Sequence, residues 1–309
     1  MNHPATQKTT ACEKESTAKP RKKRWGDRSD GRRLRTVNPM TTIMPFIMPQ
    51  RCDALNYFAD KIDITNAEEF LREQKAMGNI SMGMLHIFLA AYVRIVSQRP
   101  AINRFVSGQR IYARNNIEVV MTIKKELSTS SPDTVVKCIF EPTDTLLDVY
   151  QKFNKIVEEN NNMEANSDFD KTMGVLAKIP RFLLRFAVKL LNWMDYHRIL
   201  PKFLLKISPF HGSFIITSMG SLGIQPIYHH IYNFGNLPIF FAYGAKRKEQ
   251  YIDDDGEAKI RPVIDFTVVT DERICDGYYY AAAFKLMRRY LKNPSMLMTP
   301  PETVYEDID

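Results

Sequence analysis

The side chains that could do chemistry are few, and their spacing already excludes several reactions. The six histidines, His3, His86, His197, His211, His229 and His230, show no HExxH or other metal-binding spacing. The four cysteines, Cys12, Cys52, Cys138 and Cys275, are far apart and form no CxxC pair, so neither a zinc site nor a disulfide framework is expected, and a reducing cytoplasm fits them. No metal is expected. His229 and His230 stand together inside a stretch, 207 to 245, that holds no Asp, Glu, Lys or Arg. Imidazoles at their ordinary pKa are the readiest general bases near neutrality, although a pair in a buried loop commonly serves as hydrogen-bonded core. Thr217 and Ser218 follow an apolar run in the same stretch, and a second group, Glu272, Arg273 and Asp276, follows another apolar run and precedes Gly277.

The elements around these residues are legible from pattern. The uncharged stretch is punctuated by Gly212, Gly220, Gly223, Pro226, Gly235 and Pro238. A bilayer helix needs about 20 unbroken apolar residues, so two buried strands joined by a loop are expected instead. Strands are predicted near 213–218, 237–244 and 260–270, with the acidic turn Asp253-Asp254-Asp255-Gly256 between the last two, and a helix over 277–292. Upstream, Pro39, Pro45 and Pro49 predict an extended entry over 37–62. Thr65 and Glu68 suggest a capping box for a helix at 66–77 ended by Gly78, and Ser81 opens a second that runs to Pro100. Residues 109–125 and 134–140 read as a hairpin around 128–133, followed by an amphipathic helix at 145–159 that ends in Asn160-Asn161-Asn162. A basic and strongly apolar helical region follows at 168–206, expected to pack on its own domain or on a neighbouring subunit, with a membrane surface as the alternative.

Charge is unevenly placed. Residues 1–36 hold 11 Lys or Arg against 4 Asp or Glu, which is +7 of the net +8 and leaves +1 for residues 37–309. This segment is poor in large apolar residues and reads as a basic disordered arm, 1–36. Nucleic acid, anionic membrane or a partner protein could contact such an arm, but a solvated tail is the simpler reading. The folded domain is placed at 37–293 and an irregular C-terminal tail at 294–309. Strands mixed irregularly with helices favour an α/β sandwich over a doubly wound sheet.

The order of three segments resembles a known family. Gly212-Ser-Phe-Ile-Ile-Thr-Ser-Met-Gly-Ser-Leu-Gly-Ile224, then Ile239-Phe-Phe-Ala-Tyr-Gly244, then Phe266-Thr-Val-Val-Thr-Asp-Glu-Arg-Ile-Cys-Asp-Gly277 looks like the catalytic domain of the 2-oxo acid dehydrogenase acyltransferase components, an order shared with chloramphenicol acetyltransferases. Pro100-Ala-Ile-Asn-Arg-Phe105 and Ile117-Glu-Val-Val120 extend the likeness, which covers roughly 40–292. It implies a two-layer α/β sandwich with a mixed sheet, a homotrimer with each active site at a subunit boundary, and coenzyme A or acyl-coenzyme A as substrate. Nothing before residue 40 resembles a lipoyl or peripheral-subunit-binding domain, so a complete dehydrogenase core subunit is not expected, no lipoyl attachment is seen, and the acceptor need not be lipoamide.

Carried over residue by residue, the resemblance makes Thr217 or Ser218 the oxyanion donor. It gives Asp276 an architectural ion pair, Arg273 a supporting role, and Gly277 a tight strand-to-helix turn. Cys275 reads as a small buried hydrophobe. The departure is Glu272, which stands where the family carries its catalytic histidine. Replacing a reference imidazole near ~6.5 by a carboxylate near ~4.3 costs about 3 kcal/mol of basicity. Glu272 is then either a working base, a role that burial could assist, or a structural carboxylate with Arg273 or a neighbouring subunit's arginine as partner. His229 and His230 are the candidates for a displaced base. Two functions remain: a coenzyme-A-dependent acyltransferase with an unknown acceptor, and a non-catalytic trimer that keeps the scaffold for binding or assembly.

Overall fold

A computed structural model describes residues 22–124, 133–162, 174 and 178–309. Residues 128–132 of the expected turn, most of 168–177, and residues 1–21 of the arm lie outside this range. The first half contains β1 (Gly31–Arg33), α1 (Pro39–Ile47), β2 (Leu55–Asp63), α2 (Thr65–Ala76), α3 (Met84–Gln98), β3 (Arg104–Ser107), β4 (Arg110–Arg114), β5 (Ile117–Lys124) and β6 (Asp133–Phe140). The second contains α4 (Leu146–Asn162), α5 (Arg181–Tyr196), α6 (Lys202–Ile207), β7 (Phe214–Ser218), β8 (Ile239–Ile252), β9 (Ala258–Asp271) and α7 (Gly277–Lys292).

Six strands form the main sheet in the order β2-β9-β8-β7-β5-β6. β7 lies parallel to both β5 and β8, and the other neighbours are antiparallel, so the sheet is mixed. Strand alternation gives it one face lined by Phe214, Ile216, Ile239, Phe241, Phe266 and Val268, and α3 covers this face. Tyr92 of α3 stacks on Phe214 at 4.1 Å and Phe88 packs on Phe241 at 5.2 Å. His86 through Ser97 are all buried, so α3 is apolar nearly all round and not amphipathic. Its N-terminus is capped by a side chain from inside the helix, His86 Nδ1 accepting from the Gly83 N–H at 3.0 Å, and not by Ser81. α7 packs beside it through Tyr280, Ala283 and Met287. This is the two-layer α/β sandwich expected.

A smaller sheet, β1-β4-β3, corrects the reading of the arm. Residues 22–36 pack on the domain because arginines find acids far away in sequence. Arg28 is 4% exposed and donates to Asp30 at 2.7 Å and to Asp195 at 2.7 Å. The Arg35 and Thr36 N–H groups donate to the Asp309 carbonyl, and Arg104 pairs with Asp307, so the irregular C-terminal tail is fastened beside the same segment. Composition alone misjudged this segment because its order comes from ion pairs and not from apolar burial.

Three local expectations also change. α1 is a helix: Asn38 caps it by accepting from the Thr41 N–H, and Pro39 occupies its first turn, where a missing N–H costs nothing. The capping box at Thr65 is replaced by Asp63, whose Oδ1 accepts from both the Thr65 N–H and hydroxyl, while Glu68 pairs with Lys246. The hairpin proper is β5-β6, and residues 110–114 belong to the small sheet.

Candidate active site

The turn from β9 into α7 is built on Asp271, the last residue of its strand and 1% exposed. Arg273 grips its carboxylate with two hydrogen bonds, Nε to Oδ1 at 2.8 Å and Nη2 to Oδ2 at 2.7 Å, and Arg51 reaches Oδ2 at 3.3 Å. The remaining guanidinium donors bind backbone. Arg51 donates to the Tyr232 and Gly235 carbonyls, and Arg273 to those of Met48 and Pro49. One buried carboxylate thus ties together the exit of α1, the loop before β8 and the motif turn.

This arrangement revises the roles of three neighbours. Asp276 makes no ion pair among the described residues; it caps α7, accepting from the Tyr279 N–H at 2.8 Å. The architectural pairing expected of it belongs to Asp271. Arg273 is fully engaged by Asp271 and carbonyls, so it is not the partner of Glu272. Glu272 is exposed and held only through its backbone, its N–H donating to the Ala54 carbonyl at 2.8 Å, and its carboxylate has no partner among the described residues. Gly277 has an ordinary φ, and a Cβ there would meet nothing within 4 Å, so nothing among the described residues requires glycine. Burial pushes the Cys275 thiol up to about 12, which suits a hydrophobe and not a nucleophile.

Thr217 and Ser218 end β7 and point to opposite faces of the sheet. Ser218 lies on the helix-covered side, level with Tyr243. Thr217 lies on the other side, level with Ala242 and Thr267. There the loop 222–236 crosses the strands: Thr267 donates to the Ile227 carbonyl at 2.7 Å, and Ile231 packs on Phe240 and Val269. The loop is aimed by close backbone contact. A Cβ on Gly220 would come within 2.8 Å of the Gly244 carbonyl oxygen, and one on Gly244 within 2.5 Å of Pro226 Cδ. Gly244 lies where the β8–β9 register shifts between Tyr243 and Lys246.

His229 stacks flat on Phe240, with centroids 4.2 Å apart and ring planes 9° from parallel, and its Nε2 is buried with no partner. Burial, with a smaller effect of His230, lowers its pKa and keeps the ring neutral. His230 is exposed and meets Tyr232 edge-on. Phe240 lies two residues from Ala242, so His229 and Thr217 share a face roughly 8 Å apart in projection. Glu272 is elsewhere. The Asp271 N–H donates to the Pro238 carbonyl, and the β7–β8 register sets Pro238 level with Ser213, two strands across and four residues before Thr217. At ~3.3 Å per residue and ~4.8 Å per strand, Thr217 lies roughly 16 Å from the level of Asp271, and farther from Glu272. The chain does not bring Glu272 to either hydroxyl. That separation follows from strand direction, which motif spacing does not show.

Among the described residues no group of three or more His, Cys, Asp or Glu could hold a metal ion, and no helix is long and apolar enough to cross a membrane.

Residues 205–299 match the family model of the 2-oxoacid dehydrogenases acyltransferase (catalytic domain). Among solved structures, a probable dihydrolipoamide acetyltransferase from Listeria monocytogenes 4b F2365 is similar with a TM-score of 0.54 and 13% identity, over 88% of this chain and 97% of that one. The dihydrolipoamide acetyltransferase of Azotobacter vinelandii gives a TM-score of 0.51 at 14% identity, over 84% and 88% of the two chains. A chloramphenicol acetyltransferase gives 0.52 at 10% identity, over 84% and 100%. Among curated proteins no sequence matches. The resemblance carried by Gly212 to Gly277 is thus shown, and the fold is that of the chloramphenicol-acetyltransferase-like acyltransferases.

Proposed function

We propose that this chain transfers an acyl group between coenzyme A and an acceptor, in a homotrimer whose active sites lie between copies. The observation that carries the reading is the placement of the two motif ends. Thr217 and Glu272 sit at opposite ends of one sheet, and neither side chain has a hydrogen-bond partner within the described chain. A neighbour that sets its Thr217 end against this Glu272 end completes one site per boundary. In that site a base removes the thiol proton, the thiolate attacks the carbonyl carbon of the acyl group while the Thr217 hydroxyl donates to the oxyanion, and collapse of the tetrahedral intermediate breaks the original acyl bond and expels the former carrier, which takes the proton back from the base. Glu272 is the base in the family position. His229 is the alternative, neutral and on the face of Thr217.

The second reading, a non-catalytic trimer, is favoured by one observation. Glu272 is exposed, and its carboxylate has no ion-pair or hydrogen-bond partner among the described residues. Calorimetry with coenzyme A and acetyl-coenzyme A, alongside a solution mass, comes first, followed by a thiol-release assay. A trimer that binds coenzyme A and releases thiol supports transfer, and a trimer that binds but does not turn over supports the scaffold. A monomer removes the shared site and with it both readings.

A further inference from the structure

α5 presents a face that the rest of the chain leaves uncovered. None of its residues is buried. At 100° per residue its sides separate cleanly. Leu184, Ala187, Leu191 and Met194 lie half-buried against the domain. Phe182, Leu183, Phe186, Leu190 and Trp193 form an adjoining stripe that is 72%, 45%, 65%, 42% and 53% exposed. Arg181, Arg185 and Lys189 form a third stripe, all exposed and with no acidic partner among the described residues. Lys178, Lys202 and Lys206 flank the helix, also exposed and with no acidic partner among the described residues, and Phe203 of α6 is 63% exposed. The helix's one acid, Asp195, is withdrawn from this surface by Arg28 at 2.7 Å, and its carboxyl is held well below the usual range by His211 and Arg28 despite burial.

The helix is also firmly seated. The Asp195 carbonyl accepts from Arg28 and Ser107, Tyr196 donates to Gln109 at 3.0 Å, and Gly108 packs so closely on the Tyr196 carbonyl that a Cβ would come within 2.5 Å of its oxygen. Exposure of the apolar stripe is therefore not a consequence of a loosely attached segment.

We propose that α5 lies in the plane of an anionic lipid bilayer, with Phe182, Phe186, Leu190 and Trp193 inserted at the headgroup boundary and Arg181, Arg185 and Lys189 against lipid phosphates. The charge pattern selects this occupant. A second copy seated through the same helix would bring an equal set of cations against the first, whereas an anionic lipid surface meets an apolar stripe and an adjoining cationic stripe together. Trp and Phe on such a stripe suit the interface, where an apolar ring meets polar headgroups. The helix has 16 residues, about 24 Å at ~1.5 Å per residue, and lies on the bilayer without crossing it.

The full-length protein is mixed with vesicles of phosphatidylcholine alone and of phosphatidylcholine with 30% phosphatidylglycerol, at about 0.05 and 0.5 M salt. Binding is read by co-sedimentation and by Trp193 emission in a Trp25→Phe background, since the chain has only two tryptophans. Binding to the anionic vesicles alone, a blue shift of Trp193 and loss at high salt are expected. Each surface cation is worth roughly fivefold in such binding, so Arg181→Gln, Arg185→Gln and Lys189→Gln together weaken it on the order of 100-fold. Phe182→Ser with Phe186→Ser, at exposed positions the fold does not use, abolishes the blue shift. No binding, or equal binding to neutral vesicles, overturns the proposal. So does full binding by the triple Gln variant, which would assign the contact to the basic N-terminal segment. A concentration-dependent blue shift without vesicles would assign the stripe to a second copy and overturns it equally.

Discussion

Asp271 and Glu272 are consecutive acids with opposite surroundings, and the contrast predicts opposite consequences for their removal. Asp271 is 1% exposed and accepts four hydrogen bonds: three from Arg273, including its backbone N–H, and one from Arg51. In Asp271→Ala two buried guanidinium groups lose the one carboxylate that pairs with them among the described residues. Breaking a buried pair from one side costs about 3–5 kcal/mol, because the stranded charge stays desolvated. Unfolding entropy of about 2.1 cal/mol/K per residue gives roughly 0.65 kcal/mol/K for 309 residues, so a 4 kcal/mol loss lowers Tm by about 6 °C. Glu272→Gln removes a charge that has no partner among the described residues, and its stability stays within about 0.5 kcal/mol, or under ~1 °C. Thermal melts followed by circular dichroism on the two variants decide the matter. A loss below about 1 °C for Asp271→Ala would refute the claim that its carboxylate organises the turn. An equally large loss for Glu272→Gln would show a structural partner for Glu272.

Three further outcomes are expected. Thr217→Ala lowers kcat on the order of 100-fold as an oxyanion donor is lost, while Ser218→Ala, on the other face, leaves kcat within a few-fold; the reverse order would move the donor to Ser218. Gly244→Ala drives a Cβ against Pro226, so overpacking costs about 1–3 kcal/mol in a urea titration, and a neutral result would show that the loop yields. Burial keeps His211 and His86 neutral to lower pH than an unfolded histidine. The unfolded chain therefore binds more protons below about pH 6.5, and stability falls from pH 7 to pH 5 by at most ~1.4 kcal/mol per unit for each group. His211→Asn removes one share of that slope, which urea midpoints at both pH values measure.

Much of the site's framework was legible where local chemistry decides structure. The helix expected at 277–292 is found with those bounds, because Asp276 caps it and Pro294 follows its end. β7 and its neighbours were marked by apolar runs between glycines. What stayed hidden depends on contacts across the chain. Arg51 and Asp271 are 220 positions apart, and no spacing distinguishes Asp271 from Asp276 as the ion-paired acid. Whether Thr217 or Ser218 faces the loop was undecidable before strand parity was known. α1 is hidden in the sequence because proline suggests a break, whereas at a helix's first turn its fixed φ suits the start.

The buried cluster beneath the motif turn also bears on what residue 272 can do. Two arginines and one carboxylate leave one net positive charge there, partly neutralised by the carbonyls that Arg51 and Arg273 contact. A histidine at 272, exposed above that cluster, offers an imidazole whose reference pKa lies near ~6.5, so the neutral form that accepts a proton from a thiol predominates above that pH. Glu272→His should then raise thiol release above wild type if Thr217 and the coenzyme A pocket of the neighbouring copy are intact, with the gain falling as pH drops below about 6 and the ring protonates. The replaced side chain is exposed and unpartnered, so the substitution leaves the turn undisturbed. A variant that remains trimeric, binds coenzyme A and still gains nothing would locate the deficit in the remodelled pocket, or assign proton transfer to His229. Glu272→His with His229→Gln separates these: loss of the remaining activity on the second change assigns proton transfer to His229, and an unchanged rate locates the deficit in the pocket.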